Sequence, residues 1–165
     1  MTFFTLAFFI KVISAVIASL GFAMMFKMDS RHLPYGVFSA AITFIIYYAI
    51  EFFGGALFAA AFISTAFAAL FSEVMARVKR APVIIFLLPG VIPTVPGGNL
   101  YYAMRYLLLS DTALALKNFT AALEVGLGIA GGTVATSIIF GMTLDAVRSF
   151  KKRKNGRKGK INTAQ

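Results

Sequence analysis

An all-α integral membrane fold, a bundle of about five transmembrane helices with the fourth interrupted, is predicted by three features of this sequence. Hydrophobic residues make up 59% of the 165 and charged residues only 13%, with 18 Phe among them. A soluble domain is about a quarter charged. The apolar residues collect into five long runs, each close to or above the roughly 18 residues that cross a bilayer. The fourth run contains 87–104, LLPGVIPTVPGGNLYYAM, with three prolines and three glycines in ten residues. Pro89, Pro93 and Pro96 each remove a backbone donor and clash with the preceding turn, and Gly90, Gly97 and Gly98 loosen the chain.

Taken in order, span one runs about Phe3–Phe26 and is broken only by Lys11. It is too long for a signal peptide, and no basic segment precedes it. Span two is about Leu33–Ile50, span three Gly54–Val74, span four Val83–Leu109 and span five Phe119–Val147. Short polar turns separate them: Lys27–His32, Glu51 with its glycines, Arg77–Ala81, and Ser110–Asn118. Residues 1–147 thus form one membrane domain and 148–165 a basic tail. Half of the sixteen Lys and Arg fall in that tail, which explains most of the net charge of +10. Such a tail suits anionic lipid at a membrane surface rather than nucleic acid.

Orientation follows from the basic turns. Lys27 and Arg31 follow span one, Arg77, Lys79 and Arg80 follow span three, and Arg148–Lys160 follow span five. The turns after spans two and four carry only Glu51, Asp111 and Lys117. Positive charge therefore alternates, placing the N-terminus outside and the C-terminus in the cytoplasm.

Small residues recur along two spans. Ala56, Ala60, Ser64, Ala68 and Ser72 are spaced by four in span three, as are Gly128, Gly132 and Thr136 in span five. Such stripes let helix backbones approach closely. They serve packing within the chain or contact with a partner subunit or second copy.

Several chemistries are excluded or disfavoured. Without cysteine there is no disulfide, thiol catalysis or thiolate metal ligand. His32 is the single histidine and lies in a basic turn, so neither a metal nor another cofactor is expected. No Ser–His or His–Glu pair lies in the spans, which argues against a membrane enzyme. Glu73 and Asp145 are expected to pair with neighbouring Arg or Lys.

Leu88–Met104, LPGVIPTVPGGNLYYAM, resembles the Pro/Gly-rich signature of the threonine/serine exporter family. Gly21–Phe26, GFAMMF, just before a basic turn, is similar to that family's small membrane subunit of the two-subunit type. The resemblance implies a multi-pass protein of the bacterial cell membrane that exports small amino acids, threonine or serine, or small carboxylates such as succinate. It also implies a second membrane subunit supplying the half that precedes this one in single-chain members.

Irregular backbone at membrane depth must be buried in protein or line a polar cavity. In transporters such broken helices hold the substrate, whereas a Pro-kinked packing helix is the plainer alternative. Pro89, Gly90 and Pro93 are expected to make the break. If a helix restarts near Asn99, amides around Gly97–Asn99 offer a positive terminus to a carboxylate. Pro96, Gly97, Gly98, Asn99, Tyr101, Tyr102 and Arg105 are therefore the candidate substrate-binding residues. Tyr and Arg near a span end also serve as interfacial anchors. Glu124 is expected to pair with Arg105 at matched depth, and Lys11 is a second candidate for coupling, unless these charges simply reach the interface. A non-transporting assembly subunit is the alternative function.

Overall fold

The computed structural model describes residues 6–162, with side chains placed for 6, 8–144 and 146. Residues 3–5 of the expected first span, the Asp145 side chain and the basic side chains of the tail lie outside what is described. The elements are α1 (Leu6–Met25), α2 (Leu33–Phe52), α3 (Leu57–Lys79), α4 (Val83–Val91), a 3-10 turn (Ile92–Thr94), α5 (Gly97–Leu108) and α6 (Thr112–Asn162). The fold is all-helical.

Four helices are long and apolar enough to cross a membrane: α1, α2, α3 and the Thr112–Leu144 part of α6. Val83–Thr94 and Gly97–Leu108, bent by 47° at the join, make a fifth as a pair. Each half is roughly 18 Å long at the helical rise, well short of a hydrocarbon core of about 30 Å.

The turns are tight. Lys27, Arg80 and Ser110 adopt positive φ directly after α1, α3 and α5, and Gly54 does so after α2. A single left-handed residue closes a helix end by turning the chain out of the helical path. The last turn is shorter than the sequence suggests. Residues 112–118, expected in a loop, are already α6, because Asp111 Oδ1 accepts the Leu114 amide at 3.1 Å and caps the helix at once. Asn118 then donates to the Leu114 carbonyl at 2.8 Å, so its polar group is satisfied within the helix.

Helix α4 packs among α1, α2 and α3, whereas α5 packs on α6. Ala60, Ala61, Ser64, Thr65, Ala68, Ala69 and Ser72 of α3 are all buried. A Cβ on Gly128 would lie 2.7 Å from the Phe58 carbonyl oxygen and from the Ala61 Cβ, and one on Gly132 would strike the Phe62 carbonyl and the Thr65 hydroxyl. Both expected stripes thus pack within the chain, which is what lets α3 and α6 meet at backbone distance. Ala56 alone of its stripe is exposed, as the residue before α3.

The basic residues of the turns after α1 and α3 gather at one end. Lys79 Nζ lies 4.4 Å from the ring centre of Tyr35, and Arg77 lies 4.4 Å from that of Phe140. Arg77 also pairs with Glu73 at 2.6 Å, as the sequence suggests. At the opposite end, the contact of Gly128 with Phe58 leaves residues 112–127 beyond the start of α3, roughly 24 Å of helix. This part of α6 and α5 form a hairpin whose Lys117, Asn118 and Ala121 border the same cavity as Tyr47, Glu51 and Leu57 of the bundle.

Candidate functional site

The break is narrower than Pro89–Gly98. Pro89 and Gly90 lie inside α4, and regular helix is lost only over residues 92–96. A proline within a helix forfeits its own amide bond, and the chain continues if its surroundings hold it. Here they do. Pro89 and Gly90 are buried, with the Pro89 ring 3.2 Å from a Cβ position on Gly36 and a Gly90 Cβ position 3.5 Å from the Ala68 Cβ. Gly90 is therefore a close-packing residue rather than a hinge.

Pro93 produces the break. Its missing amide would have met the Pro89 carbonyl, and the Ser19 hydroxyl donates to that carbonyl instead at 2.9 Å. Thr94 donates its hydroxyl to the Val91 carbonyl at 2.7 Å. Helix α5 restarts at Gly97, two residues before the expected Asn99, with Pro96 before it and no side-chain cap. Gly97 donates to the Val95 carbonyl at 2.8 Å and Leu100 to that of Pro96 at 3.1 Å. The Gly98 and Asn99 amides between them have no backbone acceptor among the described residues.

A cavity of about 380 Å³ opens at this restart, lined by Pro93, Thr94, Val95, Pro96, Gly98 and Asn99 from the break, Tyr47 and Glu51 from α2, Leu57 from α3, and Lys117, Asn118 and Ala121 from α6. Three of the expected binding residues, Pro96, Gly98 and Asn99, line it. Gly97 is exposed beside it, and a Cβ on Gly97 or Gly98 would meet no other group within 4 Å. Tyr101, Tyr102 and Arg105 lie along α5, exposed and away from the cavity wall, with the Tyr102 ring stacked on Tyr106.

Arg105 and Glu124 are both exposed and form no ion pair. Ala103 and Leu107 share a groove with Thr112, Ala115 and Phe119, so Arg105 sits level with the first turns of α6 but on the far side of α5. Glu124 lies further along toward the bundle. The depth match assumed that span five starts near Phe119, and the cap at Asp111 moves that start. Lys11 is exposed with Nζ 4.8 Å from the Tyr48 ring centre, a contact that favours a cation.

The polar lining residues of α2 and α6 that were not anticipated are Tyr47, Glu51, Lys117 and Asn118. Their signal was present in α2. Ser39, Thr43, Tyr47 and Glu51 recur every four residues, a polar file on one face of an apolar helix. Ser39 and Thr43 are fully buried, and neither hydroxyl has a hydrogen-bond partner. An unpaired buried hydroxyl is costly, and these two share a face of α2 with the cavity residues Tyr47 and Glu51.

A bundle of membrane-crossing helices around one broken helix, with a polar cavity at the break, is an architecture of membrane transport proteins. The sequence pattern of the family described as Threonine/Serine exporter, ThrE, matches residues 11–139, and the chain belongs to that family. No curated protein and no solved structure matches it.

Proposed function

We propose that this protein exports a small amino acid such as threonine or serine through the cavity at the α4–α5 break, in concert with a second membrane subunit. The observation that carries this reading is the polar cavity itself, open beside two uncapped amides in a chain that is 59% hydrophobic. The Gly98 and Asn99 amides suit a carboxylate, and the absent Cβ on Gly98 leaves room for it. The buried hydroxyls of Thr43 and Ser39 continue the path from the cavity toward the basic end. Small carboxylates such as succinate are the competing substrate.

The partner subunit is supported by the α5–α6 hairpin. Tyr101, Met104, Leu107 and Leu108 are exposed there, Leu108 at 85%, and α5 packs chiefly on α6. With the N-terminus outside a bacterial cell membrane and the basic tail at the cytoplasmic lipid, the cavity opens outward. In this reading Tyr101, Tyr102 and Arg105 face the partner across the exit.

Efflux from cells preloaded with threonine, serine or succinate tests the proposal. The double variant Gly97→Val, Gly98→Val should insert normally, since a Cβ at either position meets no other group, and should abolish efflux. Normal efflux from inserted variant protein would overturn it. Reduced assembly with normal efflux per assembled complex would mark the chain as an assembly subunit instead.

A further inference from the structure

We infer that Glu51 and Lys117 form a dipolar clamp that selects a zwitterion over a dicarboxylate. The inference rests on the export reading above and assigns its specificity to two side chains outside the Pro/Gly segment.

Both residues line the cavity at the break and are its two charged groups, exposed beside the polar Tyr47, Thr94, Asn99 and Asn118. Among the described residues they are not joined to each other as an ion pair, and neither charged group has a hydrogen bond or ion pair with another side chain. Opposite charges on one small cavity that leave each other unpaired are available to a ligand that carries both signs. The backbone adds to each charge in the same sense. Glu51 lies in the last turn of α2, which ends at Phe52, and the negative end of a helix favours a cation. Lys117 lies across from the first turn of α5, whose Gly98 and Asn99 amides are free, and a positive end favours an anion.

An α-amino acid places its ammonium and carboxylate on one carbon, so a single molecule spans the two poles. Its ammonium meets Glu51 and its carboxylate meets Lys117 and the amides. A dicarboxylate satisfies the Lys117 pole equally well. Its second carboxylate then faces Glu51 and the carbonyl end of α2, where like charge repels. Discrimination therefore comes from Glu51, and general anion affinity from Lys117.

The test is the concentration dependence of threonine and succinate efflux from cells carrying the unmodified chain, Glu51→Gln or Lys117→Gln, normalised to inserted protein. Glu51→Gln should raise the half-saturating threonine concentration about tenfold, the loss of one charge-assisted contact, at an unchanged maximal rate. It should also move the preference toward succinate, whereas Glu51→Asp keeps the preference for threonine. Lys117→Gln should weaken both substrates together. Unmodified protein that prefers succinate, or a Glu51→Gln variant with unchanged preference, overturns the clamp while leaving export intact. If the unmodified chain exports neither compound, the export reading fails and the clamp fails with it.

Discussion

The Ser19 hydroxyl on α1 donates at 2.9 Å to the carbonyl of Pro89 on α4, the acceptor that Pro93 leaves vacant. A serine seventy residues away in sequence thus completes a bond that the broken helix cannot make for itself. The relationship explains why Pro89 remains helical and the bend falls after it. It also ties the first span to the site, since among the described residues α1 supplies no other side-chain hydrogen bond to the break.

Ser19→Ala should therefore destabilise the protein by about 1 kcal/mol, the loss of one buried hydrogen bond with its acceptor left bare. Pro93→Ala returns an amide to the Pro89 carbonyl and makes Ser19 redundant. The double variant should then lose less than the two single variants added together. Thermal unfolding in detergent measures all three, and strict additivity would show that the two groups do not share the acceptor.

Glycine positions separate into packed and open ones. A Cβ on Gly90 would come 2.6 Å from the Ser39 hydroxyl, and one on Gly132 would strike backbone atoms of α3. Gly132→Ala should cost about 1–3 kcal/mol by overpacking, because backbone cannot rotate aside. Gly90→Ala should cost less, since the Ser39 side chain can turn. Gly21→Ala and Gly141→Ala meet nothing within 4 Å and should be neutral in the same assay. An equal effect at all four positions would contradict the close approach of α3 and α6.

Topology is testable because the chain has no cysteine. A cysteine at Lys79 should be labelled only from the cytoplasmic side, and one at Gly54 only from outside. Lys27, Arg31 and Lys79 lie at one end of the bundle, so the charge rule acts on all of them together. Labelling of position 79 from outside would reverse the assignment and turn the cavity toward the cytoplasm.

What could be read in advance follows from how strongly each feature is encoded. Five apolar runs and a proline cluster leave little freedom in a membrane, so the helices and the interrupted fourth span were legible. The extent of the break was not. Pro89 and Pro93 look alike in sequence, and only the Ser19 contact and the packing around Gly90 separate them. The start of α6 was hidden because Lys117 and Asn118 look like loop residues until Asp111 is seen to cap the helix. For the same reason Glu51 and Lys117 were assigned to turns, and the half of the cavity they supply was not anticipated. The four-residue spacing of Ser39, Thr43, Tyr47 and Glu51 was available but went unread among the aromatic residues of α2.

That file carries the last prediction. Thr43 is fully buried with its hydroxyl unpaired, one turn below Tyr47 at the cavity. If the hydroxyl served only the fold, Thr43→Val would be neutral or stabilising, because it removes an unsatisfied polar group while keeping the branched shape. If the file carries substrate between the cavity and the basic end, the same change removes a hydrogen-bonding step from an apolar path. Thr43→Val should then leave unfolding temperature equal or higher while lowering efflux severalfold, and Thr43→Ser should keep efflux near the unmodified rate. The two measurements move in opposite directions, which a folding defect cannot imitate. Efflux unchanged in Thr43→Val at normal expression would remove the α2 file from the transport path and confine the site to the cavity at the break.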